Sequence, residues 1–146
     1  MEYKKFGERL YIRVDKGEEI IAAVLSVCRK EGIRSATFSG IGGCRDAEIQ
    51  TFLPEEGRFE TERAEGMLEL VSIMGNVMND GEGGLYPHAH GLFAFKKNGE
   101  HRVIAGHIKS STVLYTAELE LRPVFGGEIR RKHDAETGTG FWDLRG

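Results

Sequence analysis

The sequence predicts an α+β fold, a single domain over residues 1–146 in which one main helix, at about residues 18–31, packs against a β-sheet. A chain of 146 residues has the usual size of one domain and can bury a core without disulfides. Apolar and polar residues alternate in several segments, which indicates half-buried strands, whereas helical spacing occurs in one segment. We therefore expect several strands and one helix packed on them.

Charge and cysteine usage narrow the classes of function. The 20 Lys and Arg residues against 23 Asp and Glu residues give a net charge of −3, so no overall field attracts the chain to nucleic acid or to an anionic membrane. Cys28 and Cys44 form no CxxC motif, which favours two reduced structural thiols. The first residues lack the apolar region of a signal peptide, and no apolar run reaches the length of a bilayer span. These features predict a cytoplasmic protein.

The first strand and the helix follow directly from the residue pattern. Residues 9–15 alternate between apolar and polar side chains, which is typical of a strand. Asp15 and Glu18 then form a capping arrangement, and Gly32 supplies a helix stop.

The glycines at positions 40, 42 and 43 have two interpretations. A glycine-rich turn can present backbone N–H groups to a phosphate. The segment has no GxxxxGK[ST] motif, however, and strand-like residues follow Gly43 where a nucleotide-binding loop would open a helix. A bulge or tight turn between two strands is the favoured interpretation.

Two acidic residues are candidates for chemistry. The nearly continuous apolar run from Met67 to Met78 predicts a strand buried on both faces, and Glu69 interrupts it. A buried carboxylate needs a cation, a hydrogen-bond donor or a metal, so a structural role and a catalytic or metal-binding role both stay open. Glu118 and Glu120, in the predicted strand 112–121, are either solvated or in interfacial ion pairs, or one of them is a fourth group at a metal. The polar residues 54–65 are expected to form an exposed loop or edge.

A hairpin turn connects three histidines that are distant in sequence. Asn98-Gly99 between two apolar runs is the strongest short-range signal for a two-residue type I′ turn. That turn would pair residues whose numbers sum to 197, so His90 would lie opposite His107. Because side chains alternate between the faces of a strand, His88 would lie on the same face as His90. His101, six residues from His107, would lie about 20 Å along the strand and is not expected to be a ligand.

Three converging imidazoles predict a metal site. Neutral imidazoles suit zinc or another divalent transition metal, and three protein ligands leave one coordination position for water, substrate or another small molecule. The alternative is a hydrogen-bonded polar cluster without metal. At the end of the chain, residues 137–146 are expected to form a tail whose Phe141, Trp142 and Leu144 would be unfavourable in solvent. Anchoring on this domain or on a neighbouring subunit would hide them.

The ordered set of motifs resembles the plants and prokaryotes conserved (PPC) domain family over nearly the whole chain. The segments that carry the likeness are Arg9-Leu10, Gly17-Glu18, Ser39 to Gly42, Glu69-Leu70 with Gly75, His88 to His90, Gly106-His107, Thr116 to Glu118, Arg131 to Asp134 and Thr137-Gly138. The resemblance implies a mixed, largely antiparallel sheet, a homotrimer, and a metal site at His88, His90 and His107. Members are commonly described as candidate DNA-binding proteins. In plant relatives the DNA contact belongs to an Arg-Gly-Arg-Pro AT-hook, which this sequence lacks.

Three functions are compatible with these residues. The first is a trimeric, zinc-binding PPC protein with a regulatory or DNA-associated role. The second is a zinc-dependent enzyme acting on a small 2-oxo or 2-hydroxy acid, with Glu69 or Glu118 moving protons, because the family fold is similar to that of acetolactate decarboxylase. The third is a trimer that the metal only stabilises.

Overall fold

The computed structural model describes residues 1–145, which form eight strands and one helix. In chain order the elements are β1 (Glu2–Phe6), β2 (Arg9–Asp15), α1 (Ile20–Lys30), β3 (Ala36–Leu53), β4 (Arg58–Asn79), β5 (Leu85–Lys97), β6 (Glu100–Pro123), β7 (Arg130–Asp134) and β8 (Thr139–Asp143). No helix in this part of the chain has the length and apolar character needed to cross a membrane. The cytoplasmic location stays a prediction.

The fold is mostly β, so the predicted α+β class with a main packing helix at residues 18–31 is wrong. Strands account for 69% of the residues and helix for 8%, and α1 has only 11 residues. The error has a physical cause. Of the polar residues 54–65, expected as an exposed loop or edge, 54–57 form a turn and 58–65 begin β4. Residues 58–63 are all exposed, so no buried apolar face marks them as a strand.

The strands form one mixed sheet that curls on itself. Strands β3, β4, β5 and β6 form a closed cycle in which each strand pairs antiparallel with two of the others. Strands β1 and β2 extend the sheet from β6, and the β7–β8 hairpin joins β4 through the only parallel pairing of the described strands. The cycle gives the sheet an inner face and an outer face.

The inner face and α1 form the apolar core. Glu19 caps the helix by accepting hydrogen bonds from the N–H groups of Ile21 and Ala22, and basic residues Arg29 and Lys30 end it. The core cluster combines the apolar face of α1 with residues such as Phe93. Both cysteines are free and buried in this core, which confirms the predicted reduced thiols.

Glycine bulges set the register of the central strands. The pairing between β3 and β4 shifts between Gly40 and Gly42, and the pairing between β3 and β6 shifts between Gly42 and Cys44. The bulge interpretation of these glycines is therefore confirmed.

The outer face is open to solvent, which corrects the prediction for residues 67–78. In β4, Leu68 and Leu70 point into the core, whereas Glu69 is exposed. Around Glu69 the strand is buried on one face only, so this carboxylate is not enclosed in the core, whereas at the end of β4 both Val77 and Met78 are buried. Apolar side chains that share the outer face are exposed by 40 to 67%: Ile41, Met67, Val71, Met74, Val103 and Tyr115.

Candidate metal centre

The β5–β6 hairpin adopts the predicted register. Asn98 has a φ of 54° and Gly99 a φ of 82°, the left-handed conformations that a type I′ turn requires. Lys97 pairs with Glu100, and the pairing continues to His90 opposite His107. His101 pairs with Lys96 near the turn and lies outside the histidine cluster. The local turn thus positions the candidate ligands.

Three imidazole nitrogens converge on the outer face of this hairpin. The Nε2 atoms of His88 and His90 lie 3.1 Å and 3.0 Å from the Nδ1 atom of His107. One ring nitrogen from each histidine falls within a common span of 4.8 Å. Because Nδ1 of His107 has a single in-plane lone pair or proton, it cannot make ideal hydrogen bonds to both neighbours at once. This convergence on one point is the arrangement that a shared metal ion requires.

The ring environments favour the neutral imidazole that a metal binds. Burial, the larger effect, and the neighbouring His90 hold the pKa of His88 below its ordinary value. Burial also lowers the pKa of His107, with smaller contributions from His90 and His88. Tetrahedral zinc with Zn–N bonds of about 2.0–2.1 Å separates its ligand nitrogens by about 3.3 Å. The observed 3.0 Å and 3.1 Å are close to that separation, so the three residues fit such an ion.

The two predicted acidic candidates lie elsewhere on the outer face. Glu69 pairs with Gly43 on β3 and Glu118 with Ile41, so a strand separates the two carboxylates. Both line a depression of about 310 Å³ around the β3 glycines. Glu69 lies opposite Ala94, four residues or about 13 Å along β5 from His90. Neither residue joins the histidine cluster, and their catalytic role stays a prediction.

A groove next to the histidines was not predicted from the sequence. This histidine groove has a volume of about 500 Å³, and its polar and aromatic lining includes Thr37, Ser39, Asn76, His88, His90, Arg122 and Trp142. Four of these residues follow one row across the sheet: His88 pairs with Asn76, Asn76 with Thr37, and Thr37 with Arg122. The Thr37–Arg122 pairing lies beyond three register shifts between β3 and β6, so no local sequence signal could have found the whole row.

The C-terminal hairpin, which contributes Trp142, is anchored by buried polar residues. The Oγ atom of Ser35 accepts from the N–H of Ile129 at 2.7 Å and donates to its carbonyl at 3.0 Å. Asn79 Nδ2 donates to Glu128 at 2.8 Å, and the Arg131 guanidinium lies 4.4 Å from the centroid of the Tyr86 ring. Residues 139–143 of the predicted tail thus form the second strand of a β-hairpin, and Phe141, Trp142 and Leu144 are 45%, 40% and 71% exposed in the single chain. Gly146 lies outside the described residues.

A family model matches most of the chain. The model of the Plants and Prokaryotes Conserved (PCC) domain matches residues 1–124. Since the match covers most of the chain, the protein belongs to this family, also abbreviated PPC, and the resemblance inferred from the sequence is confirmed. The β7–β8 hairpin lies beyond the matched residues.

Solved structures of the same fold cover almost the whole chain. A PPC protein from Pyrococcus horikoshii is 31% identical, with a TM-score of 0.79 over 97% of this chain and 94% of that one. A metal-containing protein from Archaeoglobus fulgidus is 27% identical, with a TM-score of 0.81 over 97% and 98%.

A third structure shows the fold alone because its sequence identity is lower. This protein from Bacteroides thetaiotaomicron, named a "putative DNA-binding protein", is 22% identical, with a TM-score of 0.86 over 97% and 96% of the two chains. Among curated proteins, none matches the chain.

Proposed function

We propose that the protein is a metal-binding PPC protein that holds one zinc ion per chain at His88, His90 and His107. The observation that carries the proposal is the convergence of three ring nitrogens, with two separations of 3.0 Å and 3.1 Å. The naming of a 27% identical relative of the same fold as metal-containing supports it. When bound, zinc lowers the pKa of a coordinated water and polarises a ligand oxygen.

Elemental analysis of the purified protein tests the site. Wild type should contain about one zinc per chain, and His90→Ala should lose most of it because two imidazoles bind zinc far more weakly than three. His101→Ala is a matched control, since His101 lies on the same hairpin but outside the cluster. Full zinc occupancy in His90→Ala would refute the site.

We also propose that the chain assembles as a homotrimer through its outer face. Exposed apolar side chains such as Val71 and Tyr115, 48% and 66% exposed, form a surface that association would bury. Light scattering of wild type should give three times the chain mass. Val71→Asp should shift the mass towards the monomer, because association would bury its charge, whereas Val71→Thr keeps the shape and should remain trimeric. A wild type that is monomeric at high concentration would refute this assembly.

We propose a regulatory role for this assembly. Association with DNA is the part of this role that can be tested directly. The proposal of DNA association is supported by the name of a protein of the same fold. The surface arginines, however, are largely paired with carboxylates, as Arg63 is with Glu48 at 2.8 Å. We therefore expect weak association that falls steeply with salt, because each phosphate contact releases counterions. A fluorescence anisotropy titration between 50 and about 200 mM salt measures this slope. No binding at the lowest salt would remove DNA from the proposal.

Zinc-dependent catalysis on a small 2-oxo or 2-hydroxy acid is the second candidate function. The observation that favours it is the position of His90, which is exposed, so that a substrate has access to the ion. Zinc-loaded protein incubated with a panel of such acids should convert at least one of them, and His90→Ala should not. A fully loaded protein that leaves the whole panel unchanged would exclude this candidate.

A further inference from the structure

The histidine groove carries a positive end opposite the candidate metal centre. The sheet row places Arg122 three strands away from His88, about 14 Å along the curled sheet. Among the described residues that line the groove, Arg122 carries the only formal charge and none is a carboxylate. Both ends of the groove thus favour an anion once a cation occupies the histidines.

Arg122 keeps donors free for a ligand although it has an ion-pair partner. Its Nε and Nη2 atoms each donate to a carboxylate oxygen of Glu120 at 3.0 Å, which uses two of five N–H groups. Glu120 also accepts from Arg9 Nη1 at 3.0 Å. Two guanidinium groups therefore share one carboxylate, so these three side chains together carry a net charge of +1. A planar guanidinium with free donors is suited to a carboxylate ligand.

Asn76 supplies a hydrogen-bond acceptor in the middle of the row. Its Oδ1 atom is buried and has no hydrogen-bond partner among the described residues. Leaving such an acceptor unsatisfied is unfavourable, so a ligand that donates an O–H or N–H there gains that interaction. Because Asn76 lies opposite His88, the donor of the ligand would lie at the metal end of the groove.

Trp142 provides an aromatic surface for the body of the ligand. Its side chain is 40% exposed and lines the groove from the β7–β8 hairpin, which the family model does not cover. Met74, 67% exposed, lines the same groove from β4. An indole and a thioether bind planar apolar groups well. The volume of about 500 Å³ lies within the range of small-molecule sites.

We propose that the histidine groove binds a small aromatic hydroxycarboxylate. The carboxylate pairs with Arg122, the ring contacts Trp142, and a hydroxyl group at the other end donates to Asn76 Oδ1. The inference rests on the proposed function only for the hydroxyl end, which lies beside the candidate metal. The chain would thus bind an organic anion in a site of which one wall, Trp142, comes from its own C-terminal hairpin.

Isothermal titration with 4-hydroxybenzoate tests this site on zinc-loaded and metal-free protein. We expect saturable binding to the zinc-loaded protein, and binding at least tenfold weaker for 4-hydroxybenzamide, which has the same shape without the charge. Arg122→Met should weaken 4-hydroxybenzoate binding at least tenfold. Trp142→Leu should weaken it about fivefold through lost ring contact.

Two control variants separate a ligand site from general damage. Arg102→Met removes an exposed arginine at the far end of β6, and Phe141→Leu alters the neighbouring aromatic residue of β8; both should bind within twofold of wild type. Equal binding by wild type and Arg122→Met, equal loss in the controls, or no saturable binding to either form of the protein would overturn the inference.

Zinc content, measured in every variant, keeps this test apart from the metal proposal. Arg122→Met and Trp142→Leu should hold as much zinc as wild type. If wild type holds no zinc but binds 4-hydroxybenzoate through Arg122 and Trp142, the groove inference stands and the metal proposal fails. If wild type holds zinc but Arg122→Met binds 4-hydroxybenzoate as tightly as wild type, the metal proposal stands and the groove inference fails.

Discussion

The inner and outer faces of the sheet differ in what their side chains contribute. On β5, Phe93 points inward and is fully buried, while its neighbour Leu92 points outward and is 36% exposed. The inner face is covered by α1 and stabilises the fold through apolar burial. The outer face carries the histidines, the groove and the acidic depression. One strand therefore contributes side chains both to the core and to the candidate metal centre, because successive side chains alternate between the two faces.

The sharpest contrast between the faces should appear in Phe93→Ala and Leu92→Ala. We expect Phe93→Ala to lower the free energy of unfolding by about 3–5 kcal/mol, since it leaves a cavity in the core. Leu92→Ala should cost less than about 1 kcal/mol, because its side chain is partly in solvent already. Urea denaturation of both variants measures the difference. Equal decreases in the free energy of unfolding would show that Leu92 is as fully buried in solution as Phe93.

Removing the metal should affect stability through the outer face alone. Free zinc at a hundred times its dissociation constant stabilises the folded protein by about 2.7 kcal/mol. A chelator should therefore lower the melting temperature of wild type by about 5–10 °C, and that of His107→Ala hardly at all. Thermal scans with and without chelator check this. A shift of the same size in His107→Ala would place the stabilising ion elsewhere.

Alkaline pH should weaken the inner face through Cys28. Burial raises the pKa of this thiol from 9.0 to about 11. Below pH 9 the thiol is protonated in both the folded and the unfolded chain. Between pH 9 and pH 11 only the unfolded chain releases the proton, so stability falls by up to about 2–3 kcal/mol as pH rises.

Cys28→Ala isolates this effect from the titration of lysines and tyrosines. Denaturant curves at pH 8, 9, 10 and 11 should show a smaller loss of stability for the variant than for wild type. Parallel curves for the two proteins would mean that Cys28 is accessible to water in the folded state.

The smallest effect is expected at the acidic depression. Glu69 and Glu118 are exposed, and neither belongs to the histidine cluster. The double variant Glu69→Gln, Glu118→Gln should keep the zinc content of wild type and change the free energy of unfolding by less than about 0.5 kcal/mol. Elemental analysis and urea denaturation measure both quantities. Loss of zinc in the double variant would make one of these carboxylates a metal ligand.

The sequence predicts the hairpin register well because the determinants are local. Asn98 and Gly99 adopt the left-handed conformations of the turn, and the pairing from Lys97–Glu100 to His90–His107 follows by counting. The position of the histidine cluster therefore follows from the residues of one hairpin. The role of these histidines as ligands stays a prediction.

Features that depend on distant strands could not be derived in this way. The row from Asn76 through Thr37 to Arg122 joins three strands whose pairings are shifted by bulges. A shift of one residue moves a side chain to the opposite face, so counting from a turn fails beyond a bulge. Exposure of Glu69 was missed for a related reason: apolar residues such as Val71 lie on an open face, and composition alone does not distinguish that face from a second core.

The closed cycle of strand pairings also has a kinetic consequence. The β5–β6 pairing joins residues only a few positions apart at the turn, whereas β3 reaches β6 across most of the chain, as Ala36 does with Pro123. Pairings of large sequence separation form slowly because loop closure costs entropy before contacts are gained. All three histidines belong to the early hairpin. We therefore expect the three histidines to come together before β3 pairs with β6 and closes the cycle of strands. A metal ion bound at this stage would stabilise the hairpin and speed the slow closing step.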